Sequence, residues 1–111
     1  MTKRQFYRKY KKMHKKLIKL AKQFRYWDYD FAIDIFMYAL KMMQFAWENP
    51  ELALVQNTES KINNYHENLD KMKELQKYYD MHRNGNTVEV RCQGWNNMWK
   101  IIQDDLNGWW D

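Results

Sequence analysis

The chain has 111 residues, 45% of them hydrophobic and 17% aromatic, with a formal net charge of +5 at pH 7. This length bounds one domain, so 1–111 reads as a single helical domain, and the apolar content excludes a disordered chain. The lone Cys92 excludes an internal disulfide, and nothing argues for an oxidising compartment, so an intracellular protein is the default.

The charge is unevenly placed. The first 27 residues carry eleven Lys/Arg and no acid, and the remaining 84 carry eight Lys/Arg against fourteen acids. A +11 segment attached to a −6 body predicts a helix with one cationic face and an anionic partner. No apolar stretch follows the lysine-rich start, as a secretion signal needs. Asp34 and Lys41 interrupt the longest apolar stretches, so no membrane-spanning segment and no membrane partner are expected. Three glycines and one proline leave few turn signals, which favours long helices.

The first predicted helix runs from Lys3 to Phe24, with Thr2 as its N-cap. Phe6, Tyr10, Met13, Leu17, Leu20 and Phe24 recur at spacings of four and three, an apolar seam of coiled-coil type. Arg8, Lys12, Lys15, Lys19 and Lys22 recur on the opposite side, roughly 160–240° from Phe6 at ~100° per residue, with Arg4 and Lys11 at the border. After a short joint at Arg25-Tyr26-Trp27, Asp28 is the predicted N-cap of a second helix that runs to about Trp47. That helix carries two seams. One is Phe31, Ile35, Tyr38, Met42 and Phe45; the other is Ala32, Phe36, Ala39 or Leu40, Met43 and Trp47. Apolar residues on most sides predict a central helix.

Asn49-Pro50 ends the second helix. Residues 51–57 fit either a short helix or a packed loop. A third helix is expected from about Thr58 to His82, with Ile62, Tyr65, Leu69, Met72, Leu75 and Tyr79 as its seam and a Glu67–Lys71 pair. Asn84-Gly85-Asn86 signals a stop and turn. Thr87 to Cys92 alternates with period two and reads as a short extended segment, which is either merely extended or paired with its copy in another subunit. A fourth helix follows from Trp95 to Asn107, ended by Gly108. The expected fold is therefore an all-α bundle of about four helices with an extended segment near 87–92. Surplus aromatics and that unpaired segment predict a homo-oligomer, most simply a dimer.

Chemistry is sparse. His14, His66, His82 and Cys92 have no metal-ligand spacing, so no metal or cofactor is expected. Ser60 has no neighbouring His, and Asp30 and Asp34 fit helix-start electrostatics better than acid–base work, so an enzyme is not expected. Binding is better supplied. Arg8, Lys11, Lys12 and Arg25 are candidate phosphate ligands, and Tyr26, Trp27 and the terminal Trp109 and Trp110 are candidate stacking rings. A solvated surface is the plain alternative, but soluble faces usually mix signs, and this one has no acid. A cationic helix lying in a membrane interface is weighed down by the need of the other apolar faces for the same seam.

Trp27-Asp28-Tyr29 opens a helix after a basic run, Trp95 and Trp99 share a later helix, and Trp109-Trp110-Asp111 closes the chain. Together these motifs resemble a group of small helical proteins encoded by bacteriophages, over most of residues 26–111. The resemblance implies a counter-defence role in the cytoplasm of an infected bacterial host. It points to a non-enzymatic sponge for a small anionic nucleotide signal of the cyclic ADP-ribose or cyclic nucleotide class. A nucleic-acid binder using the basic helix, and a protein inhibitor of a host defence enzyme, remain open alternatives.

Overall fold

The computed structural model describes residues 1–53 and 62–109. All regular structure among them is helical, so the chain is an all-α protein. It divides into two compact units, 1–57 and 58–111.

The first unit opens with helix α1, Lys3–Gln23. Thr2 caps it as expected, and Gln5 completes a capping box. The Gln5 backbone N–H donates to Thr2 Oγ1 at 3.1 Å, and the Thr2 backbone N–H donates to Gln5 Oε1 at 2.9 Å. Two of the amide donors that a helix start leaves open are thereby satisfied. A turn follows, in which the Asp28 N–H donates to the Arg25 carbonyl at 2.9 Å. Helix α2, Tyr29–Glu48, starts at the predicted N-cap, Asp28, whose Oδ1 accepts from the Phe31 N–H at 3.0 Å.

The two helices run antiparallel. Phe6 stacks on Phe45 with centroids 4.8 Å apart, Lys9 Nζ sits 4.9 Å from the Phe45 ring, and Lys16 Nζ sits 5.0 Å from the Tyr38 ring. Met37, Leu40, Met42 and Phe45 are buried in α2, over roughly 200° of its circumference at ~100° per residue. Met42 and Phe45 lie on a predicted seam, whereas Met37 lies on neither. Asn49 ends α2, and Pro50–Ala53 forms one short helix, α3, with proline at its favoured first position. The rest of the ambiguous 51–57 segment lies outside the described residues.

The second unit is a helical hairpin of α4, Ile62–Asn84, and α5, Val88–Asp105, ending in a 3-10 turn at Leu106–Trp109. The expected helix start near Thr58 lies outside the described residues. Met72 and Leu75 of the predicted seam are buried, facing a core that includes Met98 and Ile101. Lys71 meets Glu74 at 3.4 Å, a partner one turn to the other side of the expected Glu67.

The extended segment expected at 87–92 is helix. Thr87 is an N-cap, its Oγ1 accepting from the Val90 N–H at 3.2 Å, and the Arg91 N–H donates to the Thr87 carbonyl at 3.1 Å. Glu89 in the first turn complements the helix dipole. The cap and dipole outweigh the strand preference of two valines, and Val88 points largely to solvent. The helix expected from Trp95 thus begins two turns earlier. The strand-pairing argument for an oligomer falls with this correction. Gly108 lies inside the 3-10 turn rather than ending the helix.

Gly94 explains how closely α4 and α5 meet. A Cβ there would lie 2.5 Å from the Tyr78 carbonyl oxygen and 2.6 Å from the His82 nitrogen. Only a residue without a side chain permits this approach.

Candidate functional site

Helix α1 spans about 31 Å at ~1.5 Å per residue. Phe6 is its one buried residue among the side chains of this helix. Arg8, Lys11 and Lys12 are exposed, as are Lys15, Lys19 and Lys22. Among the described residues none of these six pairs with a carboxylate. Lys9 and Lys16 behave differently, lying over aromatic rings at the α2 side. Their aliphatic stems cover the seam while their charges reach its edge. The cationic set therefore divides into packing lysines and an outward stripe.

A short joint follows the helix. The Arg25–Asp28 turn places Tyr26 and Trp27 at its two corner positions, where side chains project outward. Tyr26 is 89% exposed and Trp27 66%. Their rings meet edge to face at 4.8 Å and 86°. Arg25 is exposed beside them. Tyr29, at the first position of α2, is 70% exposed and enlarges the group. Three neighbouring aromatics with most of their area in water form a contact surface in wait of a partner.

Trp109 belongs to the second unit and is buried, 2% exposed. Its indole Nε1 has no acceptor among the described residues. Trp110 lies outside the described residues. Trp47 and Trp95 are half-buried, and Trp99 reaches the surface, packed edge to face on Trp95 at 5.5 Å. Trp95 also touches His82, at 4.8 Å between ring centroids.

A cavity of about 200 Å³ lies in the second unit, between α4 and α5. Lys71, Glu74, Tyr78, Asn97, Lys100, Ile101, Asp104 and Asp105 line it, and among the described residues none of the expected ligand residues does. Tyr78 donates to Glu74 Oε1 at 3.2 Å, and the same carboxylate takes Lys71 on its other oxygen. The hydrogen bond to Glu74, followed by the nearby carboxylate charge, pushes the Tyr78 hydroxyl above its ordinary value. In the first unit burial pushes Tyr38 the same way. Among the described residues no group of three His, Cys, Asp or Glu is placed to hold a metal, and no helix is long and apolar enough to cross a membrane.

The sequence reading missed a flank of α1. Tyr7, Tyr10, His14 and Ile18 are all exposed and lie between the inner seam and the cationic stripe. Tyr10 had a place in the inner seam, yet it is 40% exposed. The available signal is angular: these four fall roughly 40–120° from Phe6 at ~100° per residue, off the centre of the seam.

Comparison with protein-family models, with curated proteins and with solved structures finds no match to this chain.

Proposed function

We propose that this protein is a non-enzymatic nucleic-acid binder that holds phosphates on the outward face of α1. The observation that carries the reading is the stripe of six exposed cations with no carboxylate partner among the described residues. A fixed row of cations from Arg8 to Lys22, spread over about 21 Å at ~1.5 Å per residue, matches a repeating polyanion better than a compact one. Arg8, Lys11, Lys12 and Arg25 contact phosphates, and Tyr26 and Trp27 stack on bases. No bond is made or broken.

The sequestration of a small nucleotide, first expected from the resemblance to phage proteins, is less favoured. Such a site is concave and encloses most of its ligand. The basic residues lie on an exposed helix face, and the buried Trp109 offers no open stacking wall. The cavity of the second unit is lined by three acids and two lysines, a poor match to phosphate. A phage origin and a counter-defence role in a bacterial cytoplasm remain compatible with polymer binding. Self-association would rest on the exposed aromatics of the joint and on Trp99.

Fluorescence anisotropy with a labelled oligonucleotide tests the reading. Binding should be strong at low salt and fall steeply as salt rises. For six to ten contacts to duplex, the fall is on the order of 10³–10⁵ between about 50 and 200 mM. A parallel thermal-shift panel of cyclic nucleotides and ADP-ribose derivatives covers the rival. A saturating shift with a free nucleotide, and no oligonucleotide binding, would replace polymer binding with sequestration.

A further inference from the structure

We infer that the partner of this face is a single strand rather than a duplex, an inference that rests on the nucleic-acid reading above. The cations alone do not distinguish the two forms, since both present phosphates. The rings beside them do.

Phe6, Tyr10 and His14 form a ladder up one side of α1. Phe6 and Tyr10 lie 6.4 Å apart with planes 15° from parallel, and Tyr10 and His14 lie 6.2 Å apart with planes 7° from parallel. Spacing by one helical turn produces this register, because residues four apart stand nearly above one another. Phe6 closes the ladder in the core, whereas Tyr10 and His14 are exposed. They flank the stripe, roughly 40° and 80° from Phe6, with Lys11 at about 140° and Lys15 at about 180°. At the other end of the helix stand Tyr26 and Trp27, also largely exposed. Exposed aromatic groups therefore lie beside the row of cations, at Tyr10 and His14, and follow it in sequence, at Tyr26 and Trp27.

Flat faces of this kind find no base face to stack on in an undistorted duplex. Paired bases are stacked on their neighbours and show only their edges in the grooves, and edges are read by hydrogen-bonding side chains. The stripe is almost all lysine, with Arg8 as its lone arginine, and lysines hold phosphates as point charges. An unpaired base offers a free π-face to any ring that meets it. Cations along the backbone path with rings at intervals make a groove-and-platform surface for a single strand. At a stacked rise of ~3.4 Å per nucleotide, the row from Arg8 to Lys22 accommodates about six nucleotides.

The test uses the full chain and three probes: a fluorescein-labelled oligo-dT of about fifteen nucleotides, a labelled duplex of equal length, and inorganic polyphosphate as a competitor without bases. The oligo-dT should bind at least about tenfold more tightly than the duplex at equal salt, and polyphosphate should compete poorly for its weight of charge. The Tyr26→Ala/Trp27→Ala double variant should weaken oligo-dT binding about 5- to 150-fold for each stacked base lost, and leave duplex binding within about twofold. Tyr10→Ala should act in the same direction. Tyr10 touches Phe6, so its variant can loosen α1, whereas the joint variant removes only solvent-exposed rings and keeps the test valid. Equal or tighter duplex binding, unmoved by the aromatic variants, overturns the single-strand inference and leaves polymer binding standing. Absence of binding to both oligonucleotides overturns both.

Discussion

The α1–α2 hairpin meets through large side chains, whereas the α4–α5 hairpin meets through a missing one. In the first unit Phe6 stacks on Phe45, and two lysines lie over aromatic rings to extend the seam. In the second, Gly94 brings backbone to backbone, and Met72, Leu75, Met98 and Ile101 close the core. The charges differ as well. The first unit has twelve Lys/Arg against five acids, and the second seven against nine. Helix α1 repeats like charges at spacings of three and four and has Lys3 and Arg4 at its positive end, both mildly destabilising. Stability in one unit and charge in the other are thus separated. A cationic helix held by few buried residues is best placed to gain stability from an anionic partner.

Breaking each seam should expose the difference. Phe6→Ala removes the single buried residue of α1 and should cost about 3–5 kcal/mol, seen in a chemical denaturation curve as early loss of α1. Leu75→Ala, at a fully buried site of the second unit, should cost about 2–5 kcal/mol without touching oligonucleotide affinity once folded. Gly94→Ala sets a helix-propensity gain of about 1 kcal/mol against a clash with the Tyr78 carbonyl. The clash is with backbone, so a net loss of about 1–2 kcal/mol is expected. A stabilised Gly94→Ala protein would show that the hairpin can open without cost.

Smaller effects sharpen the comparison. Thr2→Ala removes half of the capping box and should cost about 0.5–2 kcal/mol, partly restored by added polyanion if α1 is the binding helix. The smallest effect concerns Tyr78. Its pKa is raised in the folded state by the bond to Glu74, so its contribution is fully present below the ordinary tyrosine pKa of about 10. That contribution is lost as pH rises through the higher folded value. In an absorbance titration Tyr78→Phe should remove part of the late tyrosine ionisation and leave the part that belongs to Tyr38.

Those same contrasts mark what the sequence could reveal. The bounds of α1 and the start of α2 were legible because Thr2 and Asp28 are local signals, read by amides three residues away. The cationic stripe was legible because a helical period places it without reference to any neighbour. Val88 and Val90 misled because alternation outweighed the Thr87 cap and Glu89, which together mark a helix start. Met37 and Gly94 were illegible because their burial depends on which helix approaches, a fact of tertiary packing. The burial of Trp109 is of the same kind. The outward projection of Tyr26 and Trp27 is set by a four-residue turn that composition alone does not announce.

The salt dependence of oligonucleotide affinity tests the central claim most directly. Six cations of the stripe on a single strand predict a slope of log K against log salt of roughly −4, at about −0.7 per contact. The Arg8→Ala/Lys12→Ala variant should flatten that slope by about 1.4 while its circular dichroism stays unchanged. A slope shallower than about −1, or one that the double variant leaves as steep as before, would contradict a phosphate-binding role for this face.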